Sequence, residues 1–161
     1  MIILCETERL YLRNVELSDT KLIVNWKNDP LTREMSVGSN AEITFETQEA
    51  DVKRALEYGQ CYLIIVVKET EEPIGYIRID WLDEEAKFAW LRFGLGTERD
   101  KGYCKEALKA LIYILFENGL HRIDAEVYEF NKVSFNLLKS IGWMLKKTCE
   151  TLSQNKRNKV C

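Results

Sequence analysis

The sequence predicts a mixed α/β (α+β) domain: a mostly antiparallel central sheet with flanking helices and one parallel strand pair. Three stretches carry that prediction. "CYLIIVVKE", Cys61 to Glu69, is a nearly continuous apolar run, the pattern of a strand covered on both faces. "EEPIGYIRIDWLDEEAKFAWLRFGL" reads as two strands joined around "DEEA", a hairpin and therefore antiparallel. A helical pattern starting at Lys101 separates the second of these strands from the next one, and such a crossover makes its two strands parallel.

In chain order, "ERLYLRNV" alternates and forms the first strand. Ser18 or Asp19 can cap a helix through "LIVNWKN", which stops near Asp29-Pro30 because a residue before proline avoids helical geometry. A polar stretch follows to about Asn40. "TFETQEADVKRALEYG" fits a second helix, with Thr44 as its N-cap and Gly59 ending it. After the three strands already described, Cys104, Ala107, Leu108, Leu111, Ile114 and Leu115 keep helical spacing until Asn118-Gly119 supplies a left-handed stop. "HRIDAEVYEF" alternates as the fifth strand. Ile123, Ala125 and Val127 share one face, and Asp124, Glu126 and Tyr128 the other. "NKVSFNLLKSIG" is a fourth helix ending at Gly142, and "WMLKKTCETL" a last strand. No repeat, low-complexity tract or Pro/Gly-rich linker divides the chain, so 1–161 reads as one domain, large enough to bury a core.

Composition narrows the function. With 46% hydrophobic and 30% charged residues the chain is ordinary globular protein, and a net charge of −3 with no basic half argues against direct nucleic-acid binding. "MIILCETERLYLR" has five apolar residues and then charges, too few for a signal peptide or a membrane span, so a cytoplasmic protein without membrane contact is expected. Cys5, Cys61, Cys104, Cys149 and Cys161 never form a CxxC, and His121 is the single histidine. Reduced thiols and no metal are the expectation.

The stretch "TERDKGYCKEALKALIYILFENG" places Arg99, Lys101 and Gly102 just where a helix begins. A helix start offers unpaired N–H groups and the positive end of the macrodipole, so it is a ready anion site. Gly102 has no Cβ to hold a ligand off the backbone, and Cys104 is small enough for the first turn. The chemistry this suggests is a phosphate or pyrophosphate cradle fed by main-chain donors. A solvated charged turn before a core helix has the same composition. Neither the P-loop nor the dinucleotide glycine pattern is present.

Taken in order and spacing, "ETERLYLRNVELSD", "PIGYIRID", "RDKGYCKEAL" and "NKVSFNLLKSIGW" resemble the GNAT superfamily of acetyl-CoA-dependent N-acetyltransferases over nearly the whole chain. The branch most resembled contains the ribosomal-protein N-terminal acetyltransferases. The resemblance implies that the fourth and fifth strands splay apart, with the pantetheine arm of acetyl-CoA between them and its pyrophosphate on the loop after the fourth strand. It sets the main chain of Phe93, Gly94 and Leu95 against pantetheine, and Arg99, Lys101, Gly102, Tyr103 and Cys104 in the pyrophosphate loop. Asn131 matches the asparagine that positions the cofactor, and it is equally a good helix N-cap. Two residues depart from the pattern. Asp100 stands where glycine is usual, an anion beside an anionic ligand, and Cys104 stands where glycine or alanine is usual. Many members carry a tyrosine that protonates the leaving thiolate; this chain has Leu138 there, and the branch implies Ser134 as the substitute.

The implied reaction is direct attack of a neutral amine on the thioester in a ternary complex. The protein must orient the pair, stabilise the oxyanion and remove a proton. Glu126 matches the glutamate used as base in some members, although a surface carboxylate of an alternating strand looks the same; Asp80, Glu98 and Glu46 stand in reserve. His121 reads as structural or surface. Cys104 as an acyl-carrying nucleophile is chemically possible, but direct transfer is the family pattern. About Trp26 to Tyr58 would wall the acceptor site. A protein N-terminus, a sugar amine, an aminoglycoside and a polyamine are all open there, with a protein N-terminus or small-molecule primary amine preferred. "TLSQNKRNKVC" lacks a full closing strand, which is either truncated or completed by another subunit in a homodimer. The alternative function is a catalytically inactive acyl-CoA-binding or interaction domain on the same fold, motivated by Asp100 and Leu138.

Overall fold

The computed structural model describes residues 2–36, 41–144, 148–149 and 159–160. Six strands form one sheet in simple sequence order: β1 (Ile3–Glu6), β2 (Leu10–Asn14), β3 (Cys61–Val67), β4 (Glu72–Asp83), β5 (Phe88–Leu95) and β6 (Arg122–Ala125). Neighbours are antiparallel except β5 and β6, which are parallel. Helices α1 (Thr20–Asn28), α2 (Pro30–Met35) and α3 (Phe45–Glu57) lie between β2 and β3, and α4 (Tyr103–Glu117) is the crossover from β5 to β6. β7 (Val127–Tyr128) then leads into α5 (Lys132–Ser140), and β7 forms a small second sheet with β8 (Thr148–Cys149) and β9 (Lys159–Val160). No helix among the described residues is long and apolar enough to cross a membrane.

The expected two-sided burial of β3 divides the core. Leu63, Ile65 and Val67 join Cys104, Ala107, Leu108 and Leu111 of α4 and Leu138 of α5 on one side of the sheet. Tyr62, Ile64 and Val66 join Ile23 and Trp26 of α1 and Val52 and Ala55 of α3 on the other. Each fully buried aliphatic side chain contributes about 1.5–3 kcal/mol, which is why helices of ordinary propensity are held firmly to the sheet. The anticipated terminators are present: Thr44 Oγ1 accepts from Thr47 N at 3.2 Å to cap α3, and Gly119 ends α4 at φ +90°.

Four local readings are corrected. The first strand has an unanticipated partner: β1 pairs with β2, but only Cys5 on it is buried, so it shows no apolar alternation. Asp29-Pro30 ends α1 and at once begins α2, with Pro30 in the first turn and Asp29 Oδ1 accepting from Thr32 N at 2.9 Å. Asp19 does not cap α1 through its side chain. Its carboxylate is turned back and buried against Arg13, with two bonds of 2.7 Å, and the Glu16 N–H at 2.8 Å. The fifth strand breaks at Glu126. β6 follows β5 and β7 leaves for the second sheet, so Tyr128 is buried with Val127 and stacks on Phe130 at 5.1 Å instead of sharing a polar face with Asp124. Of "WMLKKTCETL", only Trp143, Met144, Thr148 and Cys149 fall within the described residues, so the closing strand lies largely outside them.

Candidate functional site

The break at Glu126 opens the sheet. β5 pairs with β6 from Phe88↔Arg122 to Leu91↔Ala125, while β4 stays with β5 as far as Gly75↔Leu95. Past Leu91 the main chain of Phe93, Gly94 and Leu95 therefore has no strand on its outer side among the described residues. Such backbone amides need partners, and an extended, amide-bearing ligand can supply them. On the α1/α3 side the edge is sealed closely. The Tyr76 ring lies over Gly94, where an added Cβ would come within 3.0 Å of Cε1, and the Trp26 indole lies on Gly96, where a Cβ would sit 1.8 Å from Cδ1.

β5 ends where the Ile74 carbonyl accepts from both Gly96 N (2.8 Å) and Thr97 N (3.2 Å). The loop that follows holds three left-handed residues: Glu98 (φ 53°), Asp100 (φ 66°) and Gly102 (φ 78°). This gives the Asp100 departure a physical meaning. The position demands positive φ, which glycine adopts freely and aspartate tolerates better than most, and the residue is exposed. Gly102 is the N-cap of α4 with no side-chain capping bond, and a Cβ there would meet nothing nearer than Arg9 Nη2 at 3.7 Å. The first-turn N–H groups of Tyr103 and Cys104 thus start a helix with no side chain of its own closing them off.

The cations are distributed differently from the sequence expectation. Lys101 pairs with Glu98 and is exposed. Arg99 points away from the helix start: Nε donates to Leu95 O (3.3 Å), and Nη2 to Thr32 Oγ1 (3.0 Å) and Asp29 Oδ1 (3.3 Å). The cation beside Gly102 is Arg9, which sequence reasoning missed. From the β1–β2 turn its Nη1 donates to Lys101 O (3.1 Å), its guanidinium pairs with Glu106 at 2.6 and 2.7 Å, and it lies 4.6 Å over the Tyr103 ring. Thr7 Oγ1 also donates to Glu106, at 2.5 Å. Burial alone would raise the Glu106 pKa, but the bonds from Thr7 and Arg9 hold it below the usual carboxylate range. The two ends of this contact are 97 residues apart, and no local pattern links them.

The thiol of Cys104 is buried in the core, and burial pushes its pKa up to about 12. It stays protonated at neutral pH and is no nucleophile there. Across the split from β5, Asn131 caps α5, its Oδ1 accepting from Ser134 N at 3.1 Å, and its Nδ2 donates to Met35 O at 3.4 Å. Ser134 is half-buried in the first turn of α5, and Glu126 is half-buried at the strand break. Leu138 packs in the core. Among the reserve carboxylates, Asp80 lies between Arg78 and Arg92, each at 2.8 Å, Glu98 holds Lys101, and Glu46 is exposed on α3. His121 is exposed, its backbone N–H on Lys87 O.

A polar cluster that the sequence did not mark lies on the α1/α3 side. Lys27 Nζ donates to Gln48 Oε1 at 2.9 Å and sits 5.3 Å over the Tyr76 ring and 5.9 Å over Tyr62. Arg78 bonds both oxygens of Asp51 (2.8 and 2.7 Å), Gln60 (2.9 Å) and Asp80 (2.8 Å). Burial pushes Lys27 down to about 8 and Tyr76 up to about 12. Among the described residues there is no group of three or more His, Cys, Asp or Glu that could hold a metal ion.

Three comparisons bear on this geometry. Residues 9–144 match the family model described as acetyltransferase (GNAT) domain. An uncharacterized N-acetyltransferase p20 of Bacillus licheniformis is 32% identical over 145 residues, covering 85% of this chain and 80% of that relative. Among solved structures, the ribosomal-protein-S5-alanine acetyltransferase of Vibrio fischeri superposes with a TM-score of 0.82 at 19% identity, covering 99% of this chain and 94% of that one. The spermidine N-acetyltransferase of Vibrio cholerae, in complex with CoA and spermine, superposes with a TM-score of 0.84 at 15% identity, covering 96% and 94%. At such identities the two structures share the fold, and the fold accommodates both kinds of acceptor.

Proposed function

Because the chain belongs to the acetyltransferase (GNAT) domain family, we propose that it transfers an acetyl group from acetyl-CoA to a primary amine by direct attack in a ternary complex. One observation carries the reading: an open β5 edge at Phe93, Gly94 and Leu95 leads directly to a glycine-capped helix start. The edge suits the amides of pantetheine. The N–H groups of Gly102, Tyr103 and Cys104, with Lys101 and Arg9 beside them, suit the pyrophosphate.

Acetyl-CoA supplies the activated thioester. Glu126, at the strand break, accepts the proton that the ammonium must lose before the neutral amine attacks. Main-chain N–H groups of the β5 edge stabilise the charge that develops on the carbonyl oxygen as the carbon–nitrogen bond forms. Asn131 orients the reacting groups, and the second amine proton, acidic once the carbon–nitrogen bond has formed, passes through the Ser134 hydroxyl to the sulfur as the carbon–sulfur bond breaks, a role Leu138 cannot fill. Leaving Cys104 protonated favours this one-step transfer over a covalent acyl-enzyme.

The acceptor enters along α1 and α3. Lys27, Arg78 and Arg92 there stand with Asp51 and Asp80, a cluster of mixed charge rather than a single-sign funnel. A protein N-terminus or a small-molecule primary amine is the acceptor we prefer. The test is a thermal-shift titration with acetyl-CoA, CoA and ATP, followed by thiol-release assays on peptides and amines. Saturation at about 100-fold over Kd stabilises by about 2.7 kcal/mol, or about 5–10 °C for a chain of this size. No shift with acetyl-CoA would overturn the reading, and a shift without turnover on any amine would install the inactive acyl-CoA-binding alternative.

A further inference from the structure

We propose that Arg9 is a positioning residue for the phosphate cradle. With Glu106 and Thr7 it forms a clamp, built from the β1–β2 turn, that fixes the glycine-capped start of α4 and aims its main-chain N–H groups. The inference rests on the cofactor site proposed above.

The need for a clamp follows from the glycine. A serine, threonine, asparagine or aspartate N-cap holds a helix start by accepting from its first-turn N–H groups. Gly102 leaves those groups to a ligand, but it makes no side-chain bond and has more backbone freedom to lose than any other residue. The carbonyl just before it is held from outside: Arg9 Nη1 donates to Lys101 O at 3.1 Å. The rest of the same guanidinium reaches Glu106, one turn into the helix, through Nε at 2.7 Å and Nη2 at 2.6 Å. Glu106 N in turn donates to Gly102 O at 3.1 Å. One rigid planar group therefore spans the last peptide of the loop and the first turn of the helix, with Gly102 between them.

The turn that carries Arg9 is itself held. Thr7 N donates to Leu10 O at 2.8 Å, and Leu10 N to Thr7 Oγ1 at 3.0 Å. Lys68 grips the turn twice, its N–H on Arg9 O (2.9 Å) and its Nζ on Thr7 O (2.7 Å). Thr7 Oγ1 and Arg9 N both donate to the Glu106 carboxylate, at 2.5 and 3.1 Å. Other contacts fix the neighbouring parts: Ile74 O holds Gly96 and Thr97, Arg99 holds Leu95 O, and Cys104, Ala107, Leu108 and Leu111 hold the body of α4 in the core. What the clamp decides is the orientation of the peptides on either side of Gly102. That orientation matters because both cations flanking Gly102 are already paired, Lys101 with Glu98 and Arg9 with Glu106. Affinity for a phosphate then depends chiefly on N–H groups aimed in advance.

The experiment measures the calorimetric Kd for acetyl-CoA and the unliganded thermal midpoint of the full chain. Wild type is compared with Arg9→Gln, Arg9→Lys, Glu106→Gln and the double Arg9→Gln/Glu106→Gln variant. Arg9 is exposed and Glu106 only half-buried, so each variant should fold, with a midpoint within about 3 °C of wild type. Arg9→Gln should weaken acetyl-CoA by about tenfold, the scale of a charge-assisted hydrogen bond. Arg9→Lys should weaken it nearly as much, because a compact ammonium cannot span Lys101 O and Glu106 together. Glu106→Gln should also weaken binding, although it removes a negative charge from beside the phosphates. The double variant keeps the wild-type net charge and should be no worse than Arg9→Gln, since the pair acts as one unit. Three results would overturn the proposal while leaving the cofactor site intact. Glu106→Gln binding as tightly as wild type, or more tightly, would make freed Arg9 a ligand of the phosphates. Arg9→Lys at wild-type affinity would reduce its part to charge. Unchanged affinity in Arg9→Gln, whatever its midpoint, would confine Arg9 to folding. Wild type that fails to bind acetyl-CoA would remove the cofactor site and the clamp's purpose with it.

Discussion

Replacing Lys27 by methionine should stabilise the protein at neutral pH, and the gain should disappear in base. Burial pushes the Lys27 ammonium from its ordinary 10.5 down to about 8, against the opposing pull of Asp51. At about 1.4 kcal/mol per pKa unit, carrying this charge in the folded state costs about 3 kcal/mol. The folded pKa is the lower one, so the unfolded chain binds more protons between pH 8 and 10.5, and stability rises across that window. Below pH 8 both states are charged and the whole cost is present. Methionine keeps the stem volume but leaves Gln48 Oε1 without its 2.9 Å donor, a loss of about 1 kcal/mol. The net gain near pH 7 is about 1–2 kcal/mol, or about 3–6 °C in midpoint. Denaturant unfolding of both proteins from pH 6.5 to 10.5 reads the difference directly. Taking the difference also cancels Tyr62 and Tyr76, whose raised pKa values draw stability down at the alkaline end in both proteins. A difference that is constant across this range, or a variant weaker by several kcal/mol at pH 7, would show that the ammonium is solvated or firmly paired, and the reasoning from burial would be refuted.

Gly96→Ala should lower stability by about 2–3 kcal/mol, because its Cβ would lie 1.8 Å from Cδ1 of the buried Trp26 indole; a midpoint within a degree of wild type would show that the ring yields freely. Gly102→Glu has open space around its Cβ and should stay folded, losing about 1 kcal/mol to its φ of +78°, while acetyl-CoA affinity falls by more than about a hundredfold as a carboxylate enters the phosphate cradle. Unchanged affinity in the folded variant would dispose of the cradle. Cys104 should resist alkylation by iodoacetamide in the native protein at pH 8 and react only on unfolding, since its thiol is buried with a pKa of about 12; rapid native labelling located there by mass spectrometry would contradict its packing.

Patterns that act within a few residues were readable from the chain alone. The unbroken apolar run of β3 announced a strand covered on both faces, Thr44 announced the start of α3, and the spacing of Cys104, Ala107, Leu108 and Leu111 announced the buried face of α4. The glycine at the head of α4 was legible as the start of that helix for the same reason, because a helix start is set by one turn of backbone. The pattern was misleading where a local signal had two outcomes. Asp29-Pro30 ends one helix and begins another, and the alternation of "HRIDAEVYEF" continued on paper through a point where the strand changes sheets. The direction of a long charged side chain was not legible at all. Arg99 turns to Asp29, Arg9 to Glu106 and Lys27 to Gln48, because the sheet and its helices bring those partners within reach. Hydrophobic periodicity and capping are set by neighbours along the chain, so the sequence alone determined β3, α3 and α4 with its start. An ion pair depends on whichever groups the packed layers place a few ångströms apart, so only the tertiary structure decided which cation stands beside Gly102 and which one turns to α2.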